Sequence, residues 1–221
     1  MHHFDEIFEI AAGRHGGASA LNAQLDKPRP VGELAKIPDD RWLSTMTRCV
    51  FQAGFNWKVI ENKWDGFEEA FQGFDVGRCA FMDDDMFDKL LKDKRIVRNG
   101  PKIATVRENA AFLLELRKDG GAGVVLGGWP SDDYIGLLDM MKQNGARLGG
   151  MTGQYAMRFC GRDSFILSRD VVARLVAEGV VDKAPTSKGA MAKVQAAFNE
   201  WRAQSGRSLT EISRVLAMST G

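Results

Sequence analysis

The feature that most constrains this chain is the period of its apolar residues, which nearly everywhere follow the three-and-four spacing of a helix face. Met86, Phe87, Leu90 and Leu91 form one stripe, placed after the acidic run 83–85, where negative charge suits a helix N-terminus. Ile103, Val106, Ala110, Leu113 and Leu114 form another. Tyr134, Leu137, Leu138 and Met141 follow the Ser131-Asp132-Asp133 start signal, and Val194, Ala197, Phe198 and Trp201 repeat the pattern. Leu209, Ile212, Val215 and Leu216 come after Ser208, which stands at capping-box spacing from Glu211. No stretch alternates like a half-buried strand and no repeat is present. The pattern predicts an all-α fold, a compact arrangement of two helical lobes around a cleft that forms a single domain over 1–221. Pro28 and Pro30 predict a surface turn, the glycine-rich segment 120–130 a loop or short extended piece, and 183–189 a second connector. Extra C-terminal helices are expected over about 190–218, with Trp201 packed onto the core.

A chain of 221 residues can build one sizeable core or two small lobes. It contains no apolar run of about eighteen residues, so no membrane span is expected. The start, MHHFDEIFEI, is acidic and lacks the basic and apolar regions of a signal peptide, which predicts a cytoplasmic protein. Cys49, Cys79 and Cys160 are odd in number, scattered and without a CxxC pair, suggesting neither a disulfide frame nor a zinc site. A net charge of +1 leaves nucleic acid open, because a local basic patch can bind phosphate on a neutral protein.

The most informative stretch is 142–160. One helix is expected to end near Asn144-Gly145, with Gly145 in the left-handed conformation that closes many helices. Gly149, Gly150 and Gly153 then bracket a tight turn, with Thr152 between them, and a second helix is expected from about Gly153 to Phe159. The first amides of such a helix lack intrahelical partners and can hold a phosphate without reading any base. The alternative is a glycine-rich corner with a purely structural role.

Sequence around this hairpin resembles the bacterial 3-methyladenine DNA glycosylase I family of the helix-hairpin-helix DNA glycosylase superfamily. The similarity is carried by Gln52-Ala53-Gly54-Phe55-Asn56-Trp57, by Phe74-Asp75 leading to Ala80-Phe81-Met82, and by Ile96-Val97-Arg98-Asn99-Gly100-Pro101-Lys102-Ile103. Asn109-Ala110 and the hairpin from Asn144 through Gly161, with Gly150, Tyr155 and Cys160-Gly161, complete it, so the matching pieces span about 43–175.

The resemblance implies an enzyme that flips an alkylated purine out of duplex DNA and hydrolyses its glycosidic bond, since the reacting carbon is inaccessible inside the stack. By position, Trp57 would stack on the extruded base, with Gln52, Cys49 and Tyr155 near it. Gly54 and Phe55 would fill the gap left in the duplex. Arg98 and Lys102 would reach phosphates. Each admits a plainer role: Trp57 and Phe55 as packing residues, Arg98 and Lys102 as solvated charges.

Three positions depart from the family. Cys49 stands where the family has its pocket glutamate. The family's zinc-binding segments have no counterpart, so neither metal nor cofactor is expected. The superfamily's aspartate at the start of the helix after the hairpin falls on Ser168. Asp170, two residues on, is the best carboxylate available, although it also suits a helix first turn. No lysine adjoins Asp170, and Lys188 and Lys193 lie far along the chain, so no lyase step is expected. The expected partner is duplex DNA containing a damaged base, bound by a monomer. The alternative is an inactive lesion sensor with the same hairpin and wedge.

Overall fold

In chain order the helices are Phe4–Arg14 (α1), Ala18–Asn22 (α2), Val31–Leu34 (α3), Asp39–Gln52 (α4), Trp57–Glu61 (α5), Trp64–Ala70 (α6), Val76–Ala80 (α7) and Asp84–Lys92 (α8). They continue with Gly100–Leu116 (α9), Ala122–Gly128 (α10), Tyr134–Asn144 (α11), Gly150–Cys160 (α12), Arg169–Ala177 (α13), Lys188–Ser205 (α14) and Leu209–Met218 (α15). This computed structural model describes residues 1–220, and among them there is no strand. The expected all-α class is therefore correct. Among the described residues, no helix is long and apolar enough to cross a membrane.

Local chemistry starts the helices. Asp83 accepts the Met86 amide at 2.7 Å, Asn99 that of Lys102 at 3.1 Å and Ser168 that of Val171 at 3.3 Å. Ser208 and Glu211 close both halves of the predicted capping box. The segment 120–130 departs from expectation. Most of it is α10, because Gly123 and Gly127 let that helix lie directly on α3. A Cβ at Gly123 would stand 2.5 Å from the Leu34 carbonyl oxygen, and one at Gly127 2.7 Å from the Leu34 Cβ.

Chain packing defines two compact units. The first comprises residues 1–29, 130–136 and 161–221. Its centre is aromatic. Phe165 stacks on Phe198 at 4.4 Å between centroids and meets Tyr134 edge-on at 4.8 Å. Trp201 is fully buried against Phe198, as predicted. Glu178, buried in this unit, accepts the His2 amide and ring at 2.8 Å, which ties down the start of the chain.

The second unit comprises residues 30–129 and 137–160. Phe51, Trp64, Phe67, Phe71 and Phe74 form its aromatic centre, with Trp64 lying nearly parallel to Phe74 at 5.6 Å. Beside this stack one carboxylate joins two helices. Glu68 accepts both arms of Arg41 at 3.0 and 2.9 Å, the Ser44 hydroxyl at 2.6 Å and the Trp64 indole N–H at 3.1 Å. Arg41 also donates to the Gly73 carbonyl at 2.7 Å. That bond secures a left-handed turn in which Gln72, Gly73 and Phe74 all have positive φ.

Burial tends to raise the Glu68 pKa, but hydrogen bonds and charge from Arg41, with Ser44 and Trp64, outweigh it and leave it below the ordinary value. A depressed carboxyl stabilises the fold above its unfolded pKa, and that contribution is lost as pH falls through the folded one. Glu68→Gln is therefore expected to cost about 1–2 kcal/mol at neutral pH and to lose less stability than the parent below about pH 4. Thermal melts between pH 3 and 7 check this, and parallel acid limbs would remove Glu68 as their source.

Candidate nucleic-acid interface

All the sequence-predicted site residues except Asp170 lie in the second unit. Helix α4 ends at Gln52, and the chain turns through Gly54, whose φ of +76° is a glycine conformation. Phe55 closes the turn by donating its amide to the Gln52 carbonyl at 3.1 Å. Asn56 then caps α5 by accepting the Lys58 amide at 3.0 Å, which places Trp57 at the first helical position. Phe55 and Trp57 are each 39% exposed, so neither is a core residue. Three apolar or aromatic side chains are thus presented to solvent near one helix end, because Val59 is exposed as well.

Trp57 does not stand alone. Tyr155 of α12 meets its ring edge-on at 5.1 Å, and Phe159, one helical turn later, does so at 6.1 Å. Tyr155 and Phe159 are 5.6 Å apart. The three rings form an aromatic corner between α5 and α12, partly open to solvent. Phe159 carried no functional role in the sequence reading. Its spacing of four from Tyr155 on one helix was the available signal.

Gln52 and Cys49 are buried on α4. The Gln52 side-chain oxygen has no hydrogen-bond partner, an unsatisfied acceptor that stands out in a packed interior. Burial pushes the Cys49 thiol up to about 12, against a smaller opposing influence of Arg48, so the residue is a neutral thiol at physiological pH.

The hairpin differs in detail from its expected form. Helix α11 ends at Asn144 as predicted, but Gly145 does not take the left-handed conformation. Arg147 does, with φ +57°, and so does Gly150, with φ +59°. Gly145 is required for space instead. A Cβ there would stand 2.6 Å from the Leu148 side chain and 2.9 Å from the Met141 carbonyl oxygen. Helix α12 starts at Gly150, three residues earlier than expected, so Thr152 and Gly153 lie in its first turn. Gly153 is buried there because a Cβ would clash with the Leu148 carbonyl oxygen. Gly149 lies against the Lys142 stem, where a Cβ would meet Cγ at 3.2 Å.

Lys102 corrects the sequence reading. Expected to reach a phosphate, it is only 5% exposed, and its ammonium donates to the Phe51 carbonyl at 3.1 Å and the Ala53 carbonyl at 2.5 Å. It also lies 4.4 Å from the Phe55 ring centroid. The end of α4 offers carbonyls without helical partners, and a buried cation satisfies them. Burial, and then the Arg147 charge, holds its pKa below that of an exposed lysine. Arg98 is exposed. Asn109, fully buried, donates to the Ala146 carbonyl at 3.1 Å and accepts the Ala146 amide at 2.7 Å. Neither restraint was visible in the sequence, because both are side-chain bonds to backbone about 40–50 residues away in the chain.

Asp170 is an exposed residue of the first turn of α13 in the first unit, behind the Ser168 cap. Among the described residues no three His, Cys, Asp or Glu side chains are grouped as metal ligands.

The all-helical frame, with its hairpin entered through Leu148, is the fold seen in solved helical DNA glycosylases. The chain superposes on a variant of 3-methyladenine DNA glycosylase I from Staphylococcus aureus with a TM-score of 0.53, at 18% identity, over 81% of this chain and 99% of that one. It superposes on 8-oxoguanine DNA glycosylase from Methanocaldococcus jannaschii with a TM-score of 0.51, at 12% identity, over 95% and 89%. Residues 36–124 match the family described as methyladenine glycosylase. DNA-3-methyladenine glycosylase 1 of Escherichia coli K12 is 29% identical over 69 residues, 31% of this chain and 37% of that protein. That alignment covers little more than a third of the curated relative's length.

The two hairpin glycines separate steric from conformational demands. Gly150→Ala meets open space and only a left-handed backbone, and is expected to cost about 1 kcal/mol. Gly153→Ala must displace the Leu148 backbone and is expected to cost about 3 kcal/mol. Denaturant titrations of both variants provide the comparison. Equal losses would show that the Leu148 carbonyl withdraws freely.

Proposed function

We propose that the protein is a base-excision DNA glycosylase that hydrolyses the N-glycosidic bond of alkylated purines flipped from duplex DNA. One observation carries this reading: Trp57 is half-exposed, edge-on to Tyr155 of α12, the second helix of the hairpin. A base-stacking ring and a phosphate-gripping turn are thus built on one packed unit.

In this reading the first amides of α12 and its positive end hold a phosphate next to the lesion. Gly149, Gly150, Thr152 and Gly153 shape the turn that admits it, and Arg98 adds positive charge. Phe55, at the tip that follows Gly54, enters the gap in the duplex as the damaged nucleotide leaves. The flipped purine stacks on Trp57, whose electron-rich ring favours a cationic base. The resemblance places Gln52 near the flipped base, and its side-chain oxygen is an acceptor without a partner. The bond from C1′ to the base nitrogen breaks with its electron pair moving to the base, which departs neutral. Water adds its oxygen to C1′ and loses a proton to solvent, leaving an abasic site. Because the alkylated base already carries positive charge, it leaves readily, and the demand for acid catalysis falls. Asp170 is the carboxylate assigned to the developing positive charge on the sugar. No lysine is assigned to a lyase step, and no metal or cofactor is invoked. Residues 1–221 act as one glycosylase-like domain and one cytoplasmic monomer.

Cys49 favours a second reading. A neutral, buried thiol stands where the resemblance places a carboxylate, which suits a lesion sensor that grips and flips without hydrolysis.

Incubation with methylated duplex DNA is expected to release free 3-methyladenine. Trp57→Ala is expected to lower release by about tenfold to a hundredfold, the worth of one stacked base. Asp170→Asn lowers it too if the carboxylate acts in the transition state, and unchanged release clears Asp170 of that role. No release of base, with an abasic duplex still bound, would replace the enzyme reading by the sensor.

A further inference from the structure

Two side chains of α9 reach out to the two loops that would touch DNA. Lys102 holds the end of α4 and the wedge through the Phe51 and Ala53 carbonyls and lies against the Phe55 ring. Asn109 holds the hairpin through both backbone groups of Ala146. Both are more than nine-tenths buried. They stand seven residues apart, almost two full helical turns, so they share a face and lie about 10 Å apart along the axis. Helix α9 is well anchored for such a role. It is the longest helix of the second unit, its N-terminus is capped by Asn99, and Ile103, Val106, Ala110 and Leu113 are fully buried.

We infer that α9 is a spacer that sets the distance between the duplex-opening wedge and the phosphate grip, with Lys102 and Asn109 as its positioning residues. The inference rests on the glycosylase reading for its DNA contacts. A phosphate held at the hairpin fixes the duplex, and a wedge at a set distance then enters at one base step. With either end released, the wedge still exists but no longer meets the gap in register. Binding energy from the backbone then no longer serves to open the duplex. The charge of Lys102 serves this purpose better than an apolar residue would. Its ammonium satisfies two helix-end carbonyls together with the face of the wedge ring, three restraints from one atom.

The test uses Lys102→Met, which keeps the apolar stem and removes the donors, Asn109→Leu, and the double variant. Duplexes contain an abasic analogue with 2-aminopurine beside it, so flipping is read as fluorescence without any hydrolysis. Lys102→Met is expected to keep duplex affinity within about twofold and to lower the flipping signal by about tenfold. Asn109→Leu is expected to weaken duplex binding by about tenfold and to reduce the salt dependence by about one phosphate. The double variant should flip no worse than the poorer single variant, because one released end already loses the spacing. Hydrogen exchange should rise at 53–56 in the first variant and at 145–150 in the second, with cooperative melting retained. Lys102→Arg, which keeps charge and donors, should restore flipping and provides the comparison if the methionine variant fails to fold. Unaltered flipping in both single variants, or losses that multiply in the double variant, would overturn the spacer. Base release by the parent protein is scored separately. Its absence alongside intact flipping sinks the enzyme reading and leaves the spacer standing.

Discussion

The second unit depends on how the carboxyl end of α4 is finished. A helix that stops inside a packed unit leaves carbonyls facing inward, and each must find a donor or lose about 1–3 kcal/mol. Here the donor is the buried ammonium of Lys102. The consequences spread from that choice. The chain can turn sharply at Gly54, Phe55 is left outside, and Asn56 starts a new helix with Trp57 at its head. An exposed lysine at 102 would leave the α4 carbonyls to water and the following four residues without a fixed geometry.

The same logic governs the hairpin, with a neutral group in place of a charge. Ala146 is not in a helix, so its amide and carbonyl need partners, and the Asn109 amide supplies one donor and one acceptor in a single plane. The left-handed Arg147 that follows is a strained position for a side-chain residue, and it persists because both neighbours are fixed. Asn109 holds one side, and Leu148, buried under the turn, holds the other. Lysine suits the helix end, where several carbonyls converge, whereas asparagine suits a lone peptide group with one of each kind.

Helical periodicity and caps made much of this architecture legible in the sequence. The Ser208–Glu211 box, the end of α11 at Asn144 and the buried Trp201 follow from local pattern alone. The motif Gln52 to Trp57 marks a segment that carries the resemblance, and the structure leaves its Phe55 and Trp57 exposed at a helix start. The failures share one cause. Gly145 is expected to answer to a left-handed backbone, but it answers to a neighbouring atom, and the sequence does not show which atom will be near. Lys102 is expected at the surface, reaching a phosphate or solvated, and only the α4 carbonyls make its burial favourable. Segment 120–130 was read as a loop because glycine weakens isolated helices, while here it lets α10 approach the α3 backbone. Long-range packing decided each of these, and periodicity carries no information about it.

Cys49 shows how the site's geometry and its chemistry can separate. A thiol held near pKa 12 accepts no proton from water at neutral pH and stabilises no cation. Cys49 therefore offers neither an acid nor a charge, and in the proposed reaction that lack discriminates between substrates in a particular way. A neutral purine would need acid assistance to leave, and a buried neutral thiol offers none. In the proposed reaction a cationic alkylated purine would need only to be moved out of the stack, held against Trp57 and exposed to water. In the proposed glycosylase, a thiol in place of a carboxylate at position 49 favours bases already activated by alkylation and raises the share of the work that falls on positioning. In that reaction the two backbone restraints of α9 carry more weight than they would beside a catalytic carboxylate at position 49.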